Sequence, residues 1–449
     1  MSEKTNVKIV SCTLEGQRIV SCAARISTTP GSAADLYTAA TDSEKNNNLI
    51  QKVIRSGHRS ILEHATVNLA LSNVSVVVEQ FFIEFRLASF TVKSRRYVDF
   101  RNMGYYVPDM PQALKASYCA HMDFLFDTYT KLVDLNIPKE DARFVLPYCL
   151  FSNFYCSANL RELLHILYEA KYGRGRHLAE LQAIADSIIE ALAPYFPTVI
   201  QDFCSKAPKV STHEDPILLP TSSEPASVTP HASLLYATTD SETLFMQAAQ
   251  IVTGSAVSEK EFDYDLFHRY PRLLEQYSAS FRINDISLAS LTHLTRHRMQ
   301  SLIVPDLRHT LVDHYVLPQS VIENPNAKEL YQKAFVSQHH IIAQFRRSGI
   351  RDEVYLCMSG NTINVMTTMN ARELLLFFKL RCCTRAQWEI RALANEMLCS
   401  LREREPKLFV GMGPSCVSEG ICPEGKFSCG KIEEMRQQYL NETNTKVKE

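Results

Sequence analysis

The feature that most constrains this chain is an internal duplication. Paired landmarks recur at a nearly constant distance: Glu63 and Glu275, Arg86 and Arg298, and Asn159 and Asn370. The first two pairs are 212 residues apart and the third is 211 residues apart. Such regular spacing over about a hundred residues is hard to obtain by chance, and it indicates two copies of one fold.

Both copies place an alternating apolar segment at the same point. The alternating positions are Val67, Leu69 and Leu71 in the first copy, and Ala279, Phe281 and Ile283 in the second. A period of two predicts a strand with one buried face. Asn73 and Asp285 follow, and we expect them to cap largely apolar helices that run to Arg86 and Arg298.

Strands followed by helices in each copy predict an α+β fold, with an antiparallel-rich sheet packed against long helices. Helical patterns fill 112–135, 158–170, 178–193, 327–347 and 370–403. A stretch rich in Pro, Ser and Thr, residues 205–233, is typical of a linker. The predicted domains are a first copy at 1–204, a second copy at 234–410 and a cysteine-containing tail at 411–449.

Composition excludes several classes of protein. The 449 residues carry a formal net charge of −1, which argues against a protein that coats nucleic acid. The N-terminus has no apolar signal core, and no uncharged apolar run reaches the ~18 residues that span a bilayer. The 13 cysteines form no even framework. We therefore expect a cytoplasmic protein with free thiols that binds neither nucleic acid nor a membrane.

Arg296, His297 and Arg298 are three adjacent side chains that can carry positive charge. On a helix they would spread over most of the circumference, so one could face a phosphate while another faces a ring or a second subunit. Arginine suits phosphate because its guanidinium is a planar fork. A basic helix end docked on acidic side chains explains the same residues, because the helix dipole favours cations there.

Other segments contain residues suited to an anionic ligand. Asn370 and Arg381 could frame a pocket at the polar ends of an apolar helical face. The run Ser94–Arg96 combines a hydroxyl with guanidinium groups that can grip a phosphate. Arg143 lies inside an apolar run, where it needs either an internal carboxylate or an anionic ligand.

Cys416, Cys422 and Cys429 lie near the C-terminus, with spacings unlike the CxxC pairs of zinc sites. They could bind a metal or form a redox pair, but no fourth ligand is evident and we predict no metal site. The sequence also lacks G-x-G-x-x-G, a Walker loop, H-E-x-x-H and G-x-S-x-G. Side chains must therefore hold any nucleotide, because no glycine-rich phosphate loop is available.

Together these residues resemble the flavin-dependent thymidylate synthases, over roughly 7–204 and 235–410. The signature of that family is Arg-His-Arg, with a serine eight residues after the last arginine in a Ser-x-Arg-Tyr ending. A Gly-His…Glu-His segment precedes it, and Asn-Ala-Arg, Leu-Arg and Ala-Gln-Trp-Glu-Ile segments follow. Neither copy has the whole signature.

The two copies keep complementary parts of this signature. The first copy keeps His58, Ser60, Ser94, Arg96 and Arg143, and the second keeps Arg296, His297, Arg298, Asn370, Arg372 and Arg381. Glu84 and Phe85 replace the first Arg and the His in the first copy, and Asp306 replaces the serine in the second. Sites of the family are assembled across subunits of a homotetramer. The resemblance thus implies one intact composite site per chain and a homodimer that forms a pseudo-tetramer.

The resemblance implies methylation of dUMP to dTMP at uracil C5. Methylenetetrahydrofolate would donate the carbon, reduced FAD the hydride, and NADPH would reduce the flavin. Arg381 matches the arginine that polarises the uracil, an electrostatic role. The implied cofactor ligands are Arg296, His297, Arg298, Asn370, Arg372, His58 and Ser60. The implied substrate ligands are Ser94, Arg95, Arg96, Arg143, His293, Arg296 and Arg381.

Two alternatives stay open at this point. Val92 or Val304 replaces a glutamate of the family, and His293 replaces a glutamine. These departures favour a relative that acts on another pyrimidine nucleotide, such as UMP or a hydroxymethylated product. A non-catalytic homologue that binds flavin or nucleotide would follow if the losses in the two copies were not complementary.

Overall fold

A computed structural model of the chain describes residues 5–206, 208, 219–221, 224–255, 264–350 and 352–441. The strands are β1 Asn6–Cys12, β2 Thr66–Ser75, β3 Ser89–Val92, β4 Phe151–Asn159, β5 Ala226–Val228, β6 His231–Ala237, β7 Ser278–Ser287, β8 Ser301–Ile303, β9 Leu311–Val316 and β10 Asn361–Asn370. Parts of the predicted linker at 205–233, and the last eight residues of the predicted tail, lie outside the described residues.

The helices are α1 Gly16–Arg25, α2 Ala33–Ala39, α3 Ser43–Arg55, α4 Val76–Ile83, α5 Gln112–Asp134, α6 Lys139–Ala142, α7 Leu160–Lys171, α8 Ala179–Leu192, α9 Pro197–Ser205, α10 Ser241–Thr253, α11 Tyr264–Arg269, α12 Leu288–Leu294, α13 Gln319–Ile322, α14 Pro325–Arg347, α15 Ala371–Arg381, α16 Trp388–Arg404, α17 Pro406–Phe409, α18 Ser415–Ser418 and α19 Ile432–Asn441. Short 3₁₀ turns cover Arg59–His64, Arg143–Val145, Pro271–Gln276, Leu307–His309, Glu353–Leu356 and Gly425–Phe427.

The residues group into two compact units. The first unit comprises Met1–Leu219 and Ser320–Met358, and the second comprises Pro220–Gln319 and Ser359–Glu449. The first unit therefore includes the long helix α14, which packs against α5 with the Tyr118 and Phe345 rings 5.9 Å apart. The domain boundaries derived from the sequence stay a prediction.

The two units contain sheets of the same core topology. The first unit has four antiparallel strands in the order β1-β2-β4-β3. In the second unit β6, β7, β10 and β8 pair in the same order, and all of these pairs are antiparallel. There β9 also pairs with β10, and β5 adds a parallel strand beside β9. The predicted α+β fold, with antiparallel-rich sheets and long helices, is confirmed.

Side-chain burial in β2 and β7 follows the predicted alternation. Every one of the six alternating apolar residues is at most 1 % exposed, so each strand buries one face in the core of its unit. Burial of this apolar area is the main stabilising contribution to such a sheet.

The expected helix caps were wrong. Ser75 and Ser287 cap α4 and α12, because their side chains accept hydrogen bonds from backbone N–H groups three residues further on. Asn73 and Asp285 instead adopt left-handed backbone conformations, with φ of 54° and 56°. Both lie where the strand register shifts, and short polar side chains tolerate that conformation better than most residues.

Two predicted helical segments were too long, and a third is divided into two helices. Helix α4 ends at Ile83 and α12 ends at Leu294, so Arg86 and Arg298 lie in the turns that follow. The segment 370–403 forms two helices, α15 and α16, with the loop 382–387 between them. Arg381 is the last residue of α15.

A buried carboxylate fixes the strand-to-helix corner in each unit. Glu180 accepts a hydrogen bond from the Ser75 backbone N–H at 2.7 Å, and Glu389 accepts one from the Ser287 N–H at 2.8 Å. Burial raises the pKa of Glu180 to about 7. The repeat therefore preserves a long-range contact as well as the sheet.

Candidate active site

Arg381, His297 and Glu373 form a hydrogen-bonded chain in the second unit. Arg381 Nε donates to His297 Nε2 at 3.0 Å, and His297 Nδ1 lies 3.1 Å from Glu373 Oε1. A second nitrogen of Arg381 donates to the His293 carbonyl at 3.2 Å. The guanidinium is thereby held at the end of α15 by two separate acceptors.

Local sequence explains why these groups meet. Asn370 caps α15, because its side chain accepts a hydrogen bond from the Glu373 backbone N–H at 2.9 Å. The apolar residues Leu374, Phe377 and Phe378 bury one face of the helix. The Phe377 ring meets His297 edge-on, with 4.9 Å between centroids, and thus fixes the plane of the imidazole.

The triplet alternates between solvent and core. Arg296 and Arg298 are exposed, whereas His297 is 4 % exposed. Burial lowers the pKa of His297, and the Arg381 charge lowers it further, while the hydrogen bond to Glu373 opposes both effects. The imidazole is therefore neutral near pH 7, and the triplet can present two guanidinium groups outward while its histidine faces inward.

A groove of about 580 Å³ in the second unit is lined in part by Glu373, a member of this hydrogen-bonded group. Its lining includes apolar side chains together with Asn370, Arg372, Glu373 and Lys379. Arg372 pairs with Glu275 at 2.6 Å and remains half exposed, and this pairing lowers the pKa of Glu275. A concave surface with apolar walls and cations at its rim suits a flat ring system that carries anionic groups.

Some predicted ligands have contacts that the two copies share. Asn159 caps α7 as Asn370 caps α15, and Arg161 pairs with Glu63 at 2.5 Å as Arg372 pairs with Glu275. These contacts stabilise the corner between the 3₁₀ turn and the helix in both units. The roles of Asn370 and Arg372 as cofactor ligands stay predictions.

In the first unit, Arg95 lies in the core. Its guanidinium, 7 % exposed, makes two hydrogen bonds to Glu79, at 2.6 and 3.0 Å, and Ser152 donates to the same carboxylate. A buried pair of this kind is costly to break, because the remaining charge would be left without a partner. The geometry gives Arg95 a structural role, and Glu79 is a partner that the sequence did not identify.

Arg96 and Arg143 converge on one short segment of the first unit. Arg96 contacts the Glu140 carboxylate with two nitrogens, at 3.0 and 3.1 Å. Arg143 is 3 % exposed and donates from Nε to the Glu140 carbonyl at 3.1 Å. Ser94 Oγ accepts the Arg96 backbone N–H at 3.3 Å. Three of the predicted nucleotide ligands are thus close together.

The remaining predicted residues differ in their exposure and contacts. His58 and Ser60 are exposed at the start of the 3₁₀ turn Arg59–His64. The His293 side chain is 9 % exposed, and its main chain meets Arg381. Asp306, which replaces the family's serine, pairs with Arg308 in the second unit, with two contacts at 2.8 and 2.9 Å.

Sequence reasoning missed Glu373 as part of the site. It is the third residue of a capped helix, where glutamate is common for purely structural reasons. Its second contact, with His297, spans 76 positions in sequence. The one available signal was the matching Glu162 beside Asn159, which identifies the capping role but not the histidine contact.

Thirteen cysteines are free thiols, and none is in a disulfide. Within the described part of the chain, no group of three His, Cys, Asp or Glu side chains is placed to hold a metal ion.

The cysteines near the C-terminus differ in acidity. Burial raises the pKa of Cys416, as do Cys383, Cys422 and Cys429, whereas hydrogen bonding to Thr384 lowers the pKa of Cys429. None of the described helices combines the length and the apolar character needed to cross a membrane.

Comparison with known proteins supplies the family. The model of the family described as thymidylate synthase complementing protein, Thy1, matches residues 8–198 and 233–407. The chain therefore belongs to this family, and the family model matches it twice.

Similar proteins include two curated relatives and one solved structure. A flavin-dependent thymidylate synthase of Clostridium tetani (strain Massachusetts / E88) is 39 % identical over 37 % of this chain and 75 % of that protein. Its counterpart in Geobacter sulfurreducens is 37 % identical over 37 % of this chain and 74 % of that protein. The UMP/dUMP methylase PolB of Streptomyces cacaoi, solved with 5-Br dUMP, is 25 % identical, covering 45 % of this chain and 95 % of that one, with a TM-score of 0.38.

Proposed function

We propose that this chain is a flavin-dependent thymidylate synthase that methylates dUMP to dTMP. Membership of the Thy1 family and relatives that bear this name support the reaction class. The observation that carries the proposal is the guanidinium of Arg381, fixed by His297 and by a main-chain carbonyl. A preorganised cation stabilises developing negative charge without reorganising during the reaction.

The groove of the second unit fits a flavin in size and chemistry. Its apolar walls suit an extended ring system, and its half-exposed Arg372 suits a phosphate. Arg298 is exposed next to the lining residue Met299 and suits a second phosphate. We propose Arg296, His297, Arg298, Asn370, Arg372, His58 and Ser60 as residues that hold FAD. The bound reduced flavin supplies the hydride, methylenetetrahydrofolate the carbon, and NADPH the reducing equivalents.

The residues of the chain act on the nucleotide. Arg381 holds and polarises the uracil, so that C5 can bond to the folate methylene carbon as the bond from that carbon to the folate nitrogen breaks. The C5 proton then passes to solvent. Ser94, Arg96, Arg143, His293 and Arg296 are the proposed ligands of the nucleotide, and Arg95 is omitted because of its ion pair in the core. The expected assembly is a cytoplasmic homodimer of this chain, in which each chain contains two copies of the fold.

Tritium release tests the reaction. The purified chain, with NADPH and methylenetetrahydrofolate, should release tritium from dUMP labelled at C5 and should be yellow from bound flavin. Arg381→Gln should lower kcat by about 10²–10³-fold, because one charged transition-state contact is removed. Arg282→Gln, at an exposed position of β7, is the matched control and should keep full activity.

Three results separate the proposal from its rivals. A colourless protein without release would overturn it in favour of a non-catalytic homologue. A yellow protein that releases tritium only from labelled UMP would overturn the choice of nucleotide. Release from dUMP that survives Arg381→Gln would overturn the role of that arginine.

A further inference from the structure

Glu373 has two connections that differ in purpose. Its backbone N–H completes the Asn370 cap, and its carboxylate, 5 % exposed, faces His297 Nδ1 at 3.1 Å. Arg381 lies eight residues further along the same helix and meets the opposite nitrogen of the imidazole at 3.0 Å. The imidazole therefore bridges two residues of α15.

Donor and acceptor chemistry leaves one arrangement for this bridge. A guanidinium has only donors, so His297 Nε2 must accept from Arg381 and cannot carry a proton. A neutral imidazole has its single proton on the other nitrogen, and an ionised carboxylate can only accept there. Glu373 thus selects the tautomer in which Nε2 is free to hold the arginine.

We infer that Glu373 is a positioning residue for Arg381 and acts through the tautomer of His297. This inference rests on the proposed function, since it assigns Glu373 a part in presenting Arg381 to the uracil. The carboxylate does not touch the nucleotide in this scheme. It fixes the imidazole, and the imidazole fixes the guanidinium, as outer hydrogen-bond partners commonly orient the groups that contact a ligand.

The first copy contains a natural control. Glu162 occupies the same helical position, is 7 % exposed, and completes the Asn159 cap at 2.9 Å. Phe85 stands where His297 stands in the second copy, and Ala170 stands in the position of Arg381. The Glu162 carboxylate lies 3.5 Å from His165 Nδ1 on its own helix, so Glu162 has the capping role without the bridge to an arginine. It therefore reports the structural cost of a substitution at this position.

Glu373→Gln is the decisive variant, because it preserves size but replaces a carboxylate that can only accept with an amide that can accept or donate. When the glutamine NH₂ faces Nδ1, the imidazole proton lies on Nε2 and opposes the donors of Arg381, so the substitution no longer enforces the required tautomer. We expect kcat for dUMP to fall by about 10–100-fold while KM changes less, as for a misplaced catalytic group. Glu162→Gln should leave kcat unchanged.

A second background tests whether the effect passes through His297. In His297→Phe, which introduces the residue of the first copy, Glu373→Gln should cause no further loss of kcat. A further loss there as large as in the parent would overturn the inference, because Glu373 would then act by another route. Equal loss of kcat in Glu373→Gln and Glu162→Gln would overturn it as well, by making the effect structural.

Nitrogen NMR of the ¹⁵N-histidine-labelled full chain reads the tautomer without any assay. The signal that disappears in His297→Phe should report a protonated Nδ1 and an unprotonated Nε2, and Glu373→Gln should increase the fraction of chains that are protonated at Nε2. A protonated Nε2 in the parent would overturn the inference even if the enzyme is active. The expected tautomer in a chain that neither binds flavin nor releases tritium would support the contact and overturn the proposed function alone.

Discussion

The two copies end their short apolar helices in opposite ways. After α12, Arg296 and Arg298 are exposed and His297 is buried against Phe377. After α4, Glu84 forms an ion pair with Arg174, whose guanidinium also lies over the Phe81 and Phe85 rings, 4.8 and 5.1 Å from their centroids. Two guanidinium groups are exposed at one end, and a glutamate is paired within the unit at the other.

This difference shows how a duplicated site can diverge without a change of fold. The strands, the serine caps and the buried carboxylates Glu180 and Glu389 are equivalent in both units. Substitutions at the helix end replace two exposed arginines by an internal ion pair. This difference supports the proposal that the second helix end binds the cofactor and the first contributes to stability.

Flavin retention should show the largest difference between equivalent substitutions in the two copies. Arg298→Ala should reduce bound flavin at least about tenfold, since a charge-assisted contact with an anionic cofactor is lost. Arg86→Ala, its counterpart in the first copy, should retain the flavin. The measurement is the absorbance of bound flavin per chain after gel filtration, with the melting temperature recorded for both. Equal flavin loss in the two variants would contradict the division of roles.

The shared carboxylates should behave alike, which tests the part of the comparison that is conserved. Glu389→Ala and Glu180→Ala each leave a buried serine N–H without its acceptor. We expect each to reduce stability by about 2–4 kcal/mol at pH 8, which is above the pKa of about 7 that burial gives Glu180. Urea denaturation followed by circular dichroism measures this. A large effect in one copy and none in the other would show that the corners are not equivalent.

Much of this architecture could be predicted from the sequence, because it depends on local periodicity. The alternation of Val67 with Leu69 identified a strand, and a spacing of 212 identified its counterpart. Caps and helix ends were less predictable. Asn73 suits both a cap and a left-handed bulge, and the choice depends on the register against β4, which the local sequence does not encode.

The contacts of the candidate site were harder to predict because they join distant segments. Arg95 has the residue type and spacing of a phosphate ligand, yet Glu79 from the apolar helix α4 holds it in the core. The histidine of the triplet was predicted to meet a ligand, and its inward contact with Glu373 depends on how α15 packs. Tertiary packing decides such partnerships, so composition and spacing cannot.

Charge reversal at the first helix end should have a smaller effect. Glu84→Arg places a second guanidinium group beside that of Arg174. It should lower the free energy of unfolding by about 1–2 kcal/mol, between the values for exposed and buried pairs. The double variant Glu84→Arg with Arg174→Glu should recover most of the loss. Urea denaturation measures both, and flavin content should stay at the parent level throughout. No recovery in the double variant would show that the ion pair is not the stabilising contact.

The smallest effect concerns the pH dependence of stability. The fold lowers the pKa of His297, mainly by burial, so the unfolded chain takes up a proton near pH 6.5 that the folded chain does not. Stability from this residue is complete above that pH and is lost as the pH falls. In His297→Phe the decrease in melting temperature between pH 7 and pH 5.5 should be smaller than in the parent, by about 1–2 °C.

Differential scanning calorimetry at the two pH values measures this difference, and His309→Gln, at an exposed position, is the control. Loss of the Arg381 acceptor lowers the melting temperature of His297→Phe at both pH values, so only the change with pH is informative. An unchanged slope in His297→Phe would mean that the imidazole takes up its proton without unfolding. Glu373 would then stabilise the imidazolium, and Arg296, His297 and Arg298 could all carry positive charge in the folded protein.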